Sequence, residues 1–246
     1  MTIDFRIVVP ARFASTRLPG KPLRTIHGKP MIEWVYATAQ QANATEVVVA
    51  TDDRRIADVV EGFGGRACMT DSAHRSGTDR ILEVVQKLDW AADSIVVNLQ
   101  GDEPLMPAVN ITQVADNLAS NECAMATLHK IVDMKHAQDS NLVKLVHDRN
   151  GNALYFSRSM IPFDRKSEVK QYLGHIGIYA YRVGFIKIFS ELDPCDLEVA
   201  ESLEQLRALY NGYAIHTEIA RAEPGPGVDT EEDLVKVEKL IGPIPA

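Results

Sequence analysis

The chain has 246 residues, 46% of them apolar, enough for a conventional packed core and a length between one large domain and two small ones. Its formal net charge is −8, from 26 basic and 34 acidic residues, which argues against a nucleic-acid binder. No apolar run approaches the roughly 18 to 20 residues that cross a bilayer, and residues 1–12 are too short and too charged for a secretory leader. The three cysteines, Cys68, Cys123 and Cys195, form no C-x-x-C pair. The expectation is a cytoplasmic protein with reduced thiols and no membrane insertion.

Residues 5–10 (FRIVVP) read as a first strand, and 31–42 as a helix that starts at Pro30, with Met31, Ile32, Val35 and Ala39 on one face. A strand at 46–50 precedes a helix over about 54–63, which ends at Gly64-Gly65, and a strand at 66–69. Ile81, Leu82, Val85 and Leu88 stripe the next helix. A buried strand at 94–99, a helix from Pro107 and a strand at 124–131 follow. This alternation is the mark of β-α-β units that build a largely parallel sheet.

After about residue 140 strands succeed one another directly. Those at 142–147 and 153–157 are joined through Asn150-Gly151, a hairpin signal, and another covers 172–181. Val199, Leu203, Leu206 and Tyr210 stripe a helix, a strand covers 214–220, and a last helix runs over about 230–240. One α/β domain over 1–246, with a β-rich insertion at about 140–182, is the predicted organisation.

Basic charge is concentrated near the start. Arg6, Arg12, Arg17, Lys21, Arg24 and Lys29 occur without an intervening Asp or Glu, which implies a local anion site in an acidic protein. In open α/β sheets ligands gather at the carboxyl ends of strands, so the loops that follow strands carry the chemistry. The loop at 10–22 offers Arg12, Arg17 and Lys21 around small residues and Gly20, as a triphosphate requires; a solvated basic loop is the plain alternative. It is not a Walker loop, because its Gly-Lys pair precedes proline rather than Ser or Thr.

Gln100-Gly101-Asp102-Glu103-Pro104 puts carboxylates at a strand end, where magnesium takes one or two of them plus phosphate oxygens; otherwise it is a solvated turn. The segment at 74–80 opens a helix with hydroxyls, backbone N–H groups and cations, and also reads as a simple cap by Ser76 or Thr78. The segment at 224–233 precedes the last helix. There Asp229 is a candidate cap, and Thr230 with Asp233 a candidate capping box. The glycines of 62–67 fit a dinucleotide-binding pattern but end a helix and precede a strand, the reverse of the required context. No His pair at i, i+4 and no Cys cluster suggests zinc.

The strings PARFASTRLPGKPL, HRSGTDR, NLQGDEP, ALYFSRSMIPF, LGHIGIYAY, SLEQLRALY and GVDTEEDL, in this order over about residues 7–235, together resemble the 3-deoxy-manno-octulosonate cytidylyltransferases of Gram-negative bacteria. That resemblance implies a mixed, mostly parallel sheet flanked by helices, the Rossmann-like nucleotidyltransferase fold, with the insertion used in a homodimer contact. It implies a reaction that joins CTP to the acid sugar 3-deoxy-D-manno-octulosonate (Kdo) with Mg²⁺, for lipopolysaccharide. A related sugar, 8-amino-Kdo or sialic acid, is the alternative substrate. Carried over by position, Ala11, Arg12, Arg17 and Lys21 would hold the nucleotide with Ser76 and Gly77, and Asp102 and Asp229 would bind the metal. Lys21, Asp102 and Asp229 would be catalytic. Gln100, Arg158, His175, Tyr179, Glu204 and Gln205 would read the sugar.

Independently of the resemblance, strand alternation places residues 175, 177 and 179 on one face, and Glu204 and Gln205 lie off the 199–210 stripe, so packing does not require their burial.

Overall fold

The run FRIVVPA carries apolar side chains on both faces, and such a strand is stable only between two covering layers. It forms β1 (Phe5–Ala11), the middle of the sheet, in a computed structural model that describes residues 3–14, 17–74, 76–166 and 168–242. A 3-10 turn at Lys21–Leu23, the short antiparallel pair β2 (Thr25–Ile26) and β3 (Lys29–Pro30), and helix α1 (Met31–Gln40) follow. The alternation continues through β4 (Glu46–Thr51), α2 (Arg54–Gly62), β5 (Arg66–Met69), α3 (Gly77–Lys87), β6 (Ile95–Asn98), α4 (Ala108–Ala119) and β7 (Met125–Asp133). Then come α5 (Met134–Ala137), β8 (Lys144–His147), β9 (Ala153–Ser157) and β10 (Gln171–Arg182). The chain closes with α6 (Val183–Glu191), α7 (Asp196–Glu201), α8 (Gln205–Tyr210), β11 (Ile215–Ile219) and α9 (Glu231–Ile241).

The main sheet has the order β11-β7-β10-β6-β1-β4-β5, with the β8–β9 hairpin set on β10. β1 pairs in parallel with β4 and β6, β4 with β5, and β7 with β11. Of those seven strands β10 runs against the others, antiparallel to both β6 and β7. The sheet is therefore mixed and mostly parallel, flanked by helices, as expected. Alternate residues of β1 feed two cores. Phe5, Ile7 and Val9 pack with Ile32 and Val35 of α1, Ile56 of α2 and Ile111 of α4, while Val8 packs with Ile81 of α3, Ile186 of α6 and Leu206 of α8.

Three local expectations are corrected. The helix striped by Val199, Leu203, Leu206 and Tyr210 is two helices, α7 and α8, broken at Ser202, whose φ of 52 is left-handed. Across that break the stripe loses its phase. Leu203 and Leu206 are buried, but Val199 and Tyr210 are 70% and 66% exposed. Gln205, off that stripe, is buried as well, at 7% exposure.

The Asn150-Gly151 signal does mark a turn, but a five-residue one. The Asp148 N–H donates to the Asn152 carbonyl at 2.8 Å, the Asp148 carboxylate accepts from the N–H groups of Asn150 and Asn152, and Gly151 takes a φ of 81. Helix α6, directly after β10, has no counterpart in the sequence reading. The glycines at 62–67 do form a helix end, with the Gly65 N–H donating to the Val60 carbonyl.

Candidate active site

The loop after β1 is held in shape from beneath. The Gly20 N–H donates to the Phe13 carbonyl, and Gly20 has a φ of 64 with the Phe13 ring 3.2 Å from where a Cβ would stand. Glycine alone meets both demands readily. The turn delivers Lys21 inward, with its side chain 15% exposed. Its ammonium donates to Asp102 Oδ2 at 2.6 Å, to Asp229 Oδ1 at 3.0 Å and to the Val228 carbonyl at 3.0 Å. Arg17 reaches the same Asp229 oxygen at 3.0 Å.

Two acidic loops are thereby joined to the basic one. The loop after β6 comes close because residue 101 is glycine: a Cβ there would stand 2.7 Å from the Pro10 carbonyl oxygen. The Val228 N–H donates to the Asp102 carbonyl at 2.9 Å and fixes the two acids relative to each other. Asp229 is not the cap of the last helix. Thr230 is, in a full capping box with Asp233, which leaves the Asp229 carboxylate to the site. Burial first, then the charges of Asp102 and Asp229, push the neighbouring Glu103 up to about 7, partly offset by Lys21. Burial pulls Lys21 down, but the Asp102 and Asp229 carboxylates outweigh it and raise the ammonium above its ordinary value. It is a permanent cation between the two acids.

Around this group lies a cleft of about 300 Å³ lined by Ala11, Arg12, Arg17, Lys21, Ser76, Gly77, Gln100, Asp102 and Asp229, nine of the residues anticipated for the site. Of the six basic residues expected to make one anion site, only Arg12, Arg17 and Lys21 line it. Arg6 lies over the Trp90 ring, Arg24 pairs with Glu231 and Lys29 with Glu33, so half of that charge serves packing and helix contacts. Arg12 is exposed and makes no ion pair among the described residues, which leaves its guanidinium to an anion.

Ser76 is the cap of α3 and also a cleft residue. Its hydroxyl accepts from the Asp79 N–H to cap α3, and it lines the cleft beside Gly77. Arg75, in the same segment, and Ser15 and Thr16 of the first loop lie outside the described residues. Arg80 was quoted in its motif but not anticipated as a site residue. It too lines the cleft, with its guanidinium held by Thr70 and, at 3.1 Å, by Asp52. Its spacing in α3 gives no sign of this, because its partners come from the ends of β4 and β5.

Five of the six anticipated sugar residues lie beyond that cleft lining. His175 and Tyr179 of β10 are in contact, their rings tilted by 47° with centroids 5.3 Å apart, although the pairing with β7 shifts register between Ile176 and Tyr179. Gly177 between them leaves open space, with nothing within 4 Å of a Cβ position. Burial, with a smaller contribution from His129, lowers His175 to about 3, so its ring is neutral. The Gln205 amide nitrogen is buried without a hydrogen bond among the described residues, and burial raises the Tyr179 hydroxyl well above its ordinary value, opposed by a hydrogen bond with Thr127. Glu204 accepts from the Thr78 hydroxyl at 2.8 Å. The Arg158 guanidinium is already engaged, donating to the Glu201 carbonyl at 2.7 Å and the Ser140 carbonyl at 3.1 Å.

Residues 6–219 match the family described as Cytidylyltransferase. The chain belongs to that family. A 3-deoxy-manno-octulosonate cytidylyltransferase of Photobacterium profundum is 52% identical over 98% of this chain and all of the relative. One from Vibrio cholerae is 52% identical over 97% of this chain and 98% of its own. A solved structure of CMP:2-keto-3-deoxy-manno-octonic acid synthetase complexed with CTP is 46% identical, with a TM-score of 0.92 over 97% of this chain and 98% of that one. A Leptospira borgpetersenii cytidylyltransferase, at 16% identity and a TM-score of 0.63, shares the fold.

For a cytidylyltransferase the charges are suitably arranged. Arg12, Arg17 and Lys21 line one cleft, and the Asp102 and Asp229 carboxylates share the Lys21 ammonium. Among the described residues no group of three or more His, Cys, Asp or Glu could hold a metal unaided. The Asp102–Asp229 pair suits an ion that takes most of its ligands from phosphate and water, with the Lys21 ammonium showing that a cation fits between them.

Proposed function

We propose that this chain transfers CMP from CTP to the anomeric hydroxyl of Kdo, releasing pyrophosphate and CMP-Kdo, with Mg²⁺ held by Asp102 and Asp229. The observation that carries this reading is the near full-length identity to Kdo cytidylyltransferases, with Lys21, Asp102 and Asp229 converging at the mouth of a cleft that the arginines line.

In the reaction the anomeric hydroxyl gives up its proton to solvent as its oxygen bonds to the α-phosphorus, the bond from that phosphorus to the bridging oxygen breaks, and pyrophosphate leaves. Arg12, Arg17 and Lys21 bind and orient the triphosphate and neutralise charge on the leaving group, where positioning and electrostatics supply most of the rate. Ser76 and Gly77 present hydroxyl and backbone groups to the base. When bound, Mg²⁺ supplies charge neutralisation at the α-phosphate and a lower pKa for a coordinated hydroxyl.

The sugar side is assigned to Gln100, Arg158, His175, Tyr179, Glu204 and Gln205. One of these, Gln205, holds a buried amide nitrogen with no hydrogen-bond partner among the described residues, and such an atom is costly unless a ligand completes it. That supports a polyhydroxylated occupant. The neutral His175 ring offers hydrogen bonds rather than charge.

We also propose a homodimer that uses the 140–182 region, where Leu154 and Phe163 stand 62% and 86% exposed. Both substrates are soluble and no described helix is long and apolar enough to cross a membrane, in keeping with a cytoplasmic reaction that feeds lipopolysaccharide synthesis. The test of substrate is CTP-dependent pyrophosphate release over Kdo, 8-amino-Kdo and sialic acid, with and without Mg²⁺. Kdo should give the highest kcat/KM, and none should react in excess EDTA. Release with sialic acid alone would overturn the sugar assignment.

A further inference from the structure

Three polar side chains are buried at the centre of the second core, where apolar residues would cost less: Thr78 and Asn98, each 3% exposed, and Tyr181, 4% exposed. They form one line. Gln100, on the cleft wall, donates through Nε2 to Asn98 Oδ1 at 3.2 Å. Burial first, then the Glu204 charge, raise the Tyr181 hydroxyl above its ordinary value, and hydrogen bonding with Thr78 and Asn98 opposes that shift. Thr78 in turn donates to Glu204 Oε2 at 2.8 Å.

Glu204 stands at the N-cap position of α8, yet its carboxylate makes no cap bond to its own helix and is directed across to α3 instead. Burial raises its pKa, and the hydrogen bonds from Thr78 and Ser76 oppose that shift and favour the ionised form. The line thus starts and ends on residues assigned to the sugar, and passes through the first turn of α3, whose Ser76 and Gly77 line the nucleotide cleft.

We infer that Thr78 is a positioning residue for the acid sugar, holding the Glu204 carboxylate toward the substrate from the helix whose first turn lines the nucleotide cleft. This rests on the proposed sugar site. At the second position of α3 the Thr78 hydroxyl has no preceding turn of its own helix to bond to, and it reaches across to α8 instead. The consequence is that sugar use depends on a residue that touches neither substrate.

The experiment is steady-state kinetics of Thr78→Val, Thr78→Ser, Glu204→Gln and the Thr78→Val/Glu204→Gln double variant, with Kdo and CTP varied separately. Loss of one hydrogen bond to a charged group predicts that Thr78→Val lowers kcat/KM for Kdo about tenfold or more, while KM for CTP stays within about twofold. Thr78→Ser restores the wild-type values, and valine adds little in the Glu204→Gln background. A merely structural link between α3 and α8 would lower the melting temperature and move both substrates together, or leave kinetics unchanged; either result overturns the inference. If Glu204→Gln leaves Kdo kinetics unchanged, the sugar assignment itself fails and the inference with it. If Glu204→Gln impairs Kdo use but Thr78→Val does not, only the inference fails. Should the valine variant not fold, Thr78→Ala is read in its place.

Discussion

Replacing Lys21 with methionine keeps the length of the side chain and removes the one cation shared by Asp102 and Asp229. The ammonium is 15% exposed and the two carboxylates 32% and 49%, so solvent screens the acids more than the lysine. Hydrogen bonds between charged groups contribute about 1.5–3 kcal/mol, and the partly wet acids argue for the lower end. For a chain of this size about 1.5 kcal/mol corresponds to a melting point lower by roughly 3–6 °C. The variant leaves the Asp102–Asp229 pair with Arg17 as its remaining cation, so Mg²⁺ should raise its melting temperature more than that of the wild type. Turnover should fall about a hundred- to thousand-fold, the usual loss when one electrostatic contact to a transition state is removed. Lys29→Ala is the control. That lysine is 47% exposed and pairs from β3 with Glu33 in the first turn of α1, a surface contact of about 0.2–1 kcal/mol. Equal and small effects of the two changes on CTP turnover would refute the reading of the loop as a triphosphate site.

Asp102→Asn and Asp229→Asn should each reduce turnover by about two to three orders of magnitude with the circular dichroism spectrum unchanged, and near-wild-type rates at saturating Mg²⁺ would remove them from the metal site. Arg158→Lys should raise KM for Kdo with CTP affinity unchanged by calorimetry, because a lysine cannot keep the Glu201 and Ser140 carbonyls and also grip a carboxylate; a parallel loss of CTP affinity would contradict this. Burial lowers His129 to about 4, helped by His147, and lowers His175 to about 3. Groups with depressed folded values add stability above the unfolded histidine pKa of about 6.5 that is lost as pH falls toward those lower values. The melting temperature should therefore drop between about pH 6.5 and 4, and His129→Gln should flatten that slope; an unchanged slope would show that His129 is not buried neutral.

The parallel half of the sheet was legible because β1, β4 and β6 are covered on both faces and so appear as unbroken apolar runs between turn residues. The glycines at 62–67 were legible as a helix end from their order relative to helix and strand. What sequence pattern could not carry was anything set by a distant partner. The break at Ser202 depends on backbone conformation, and without it the apolar residues from 199 to 210 fit one helix. Arg80 and Thr78 look like ordinary residues of an amphipathic helix, and only their contacts with Asp52 and Glu204, 28 and 126 residues away, reveal their place beside the cleft. For the candidate site, the loops after β1 and β6 were visible from charge at strand ends. The sugar residues rested on resemblance, since no local rule marks a buried tyrosine or glutamine as facing a ligand.

The central claim is a transfer of CMP to an acid sugar, and the most direct measurement follows the α-phosphate of CTP. Purified protein with CTP labelled at that phosphate, Kdo and Mg²⁺ should put the label into a CMP-sugar while unlabelled pyrophosphate accumulates in equal amount. Label recovered as CTP, or as CMP or CDP without a sugar conjugate, would contradict the account.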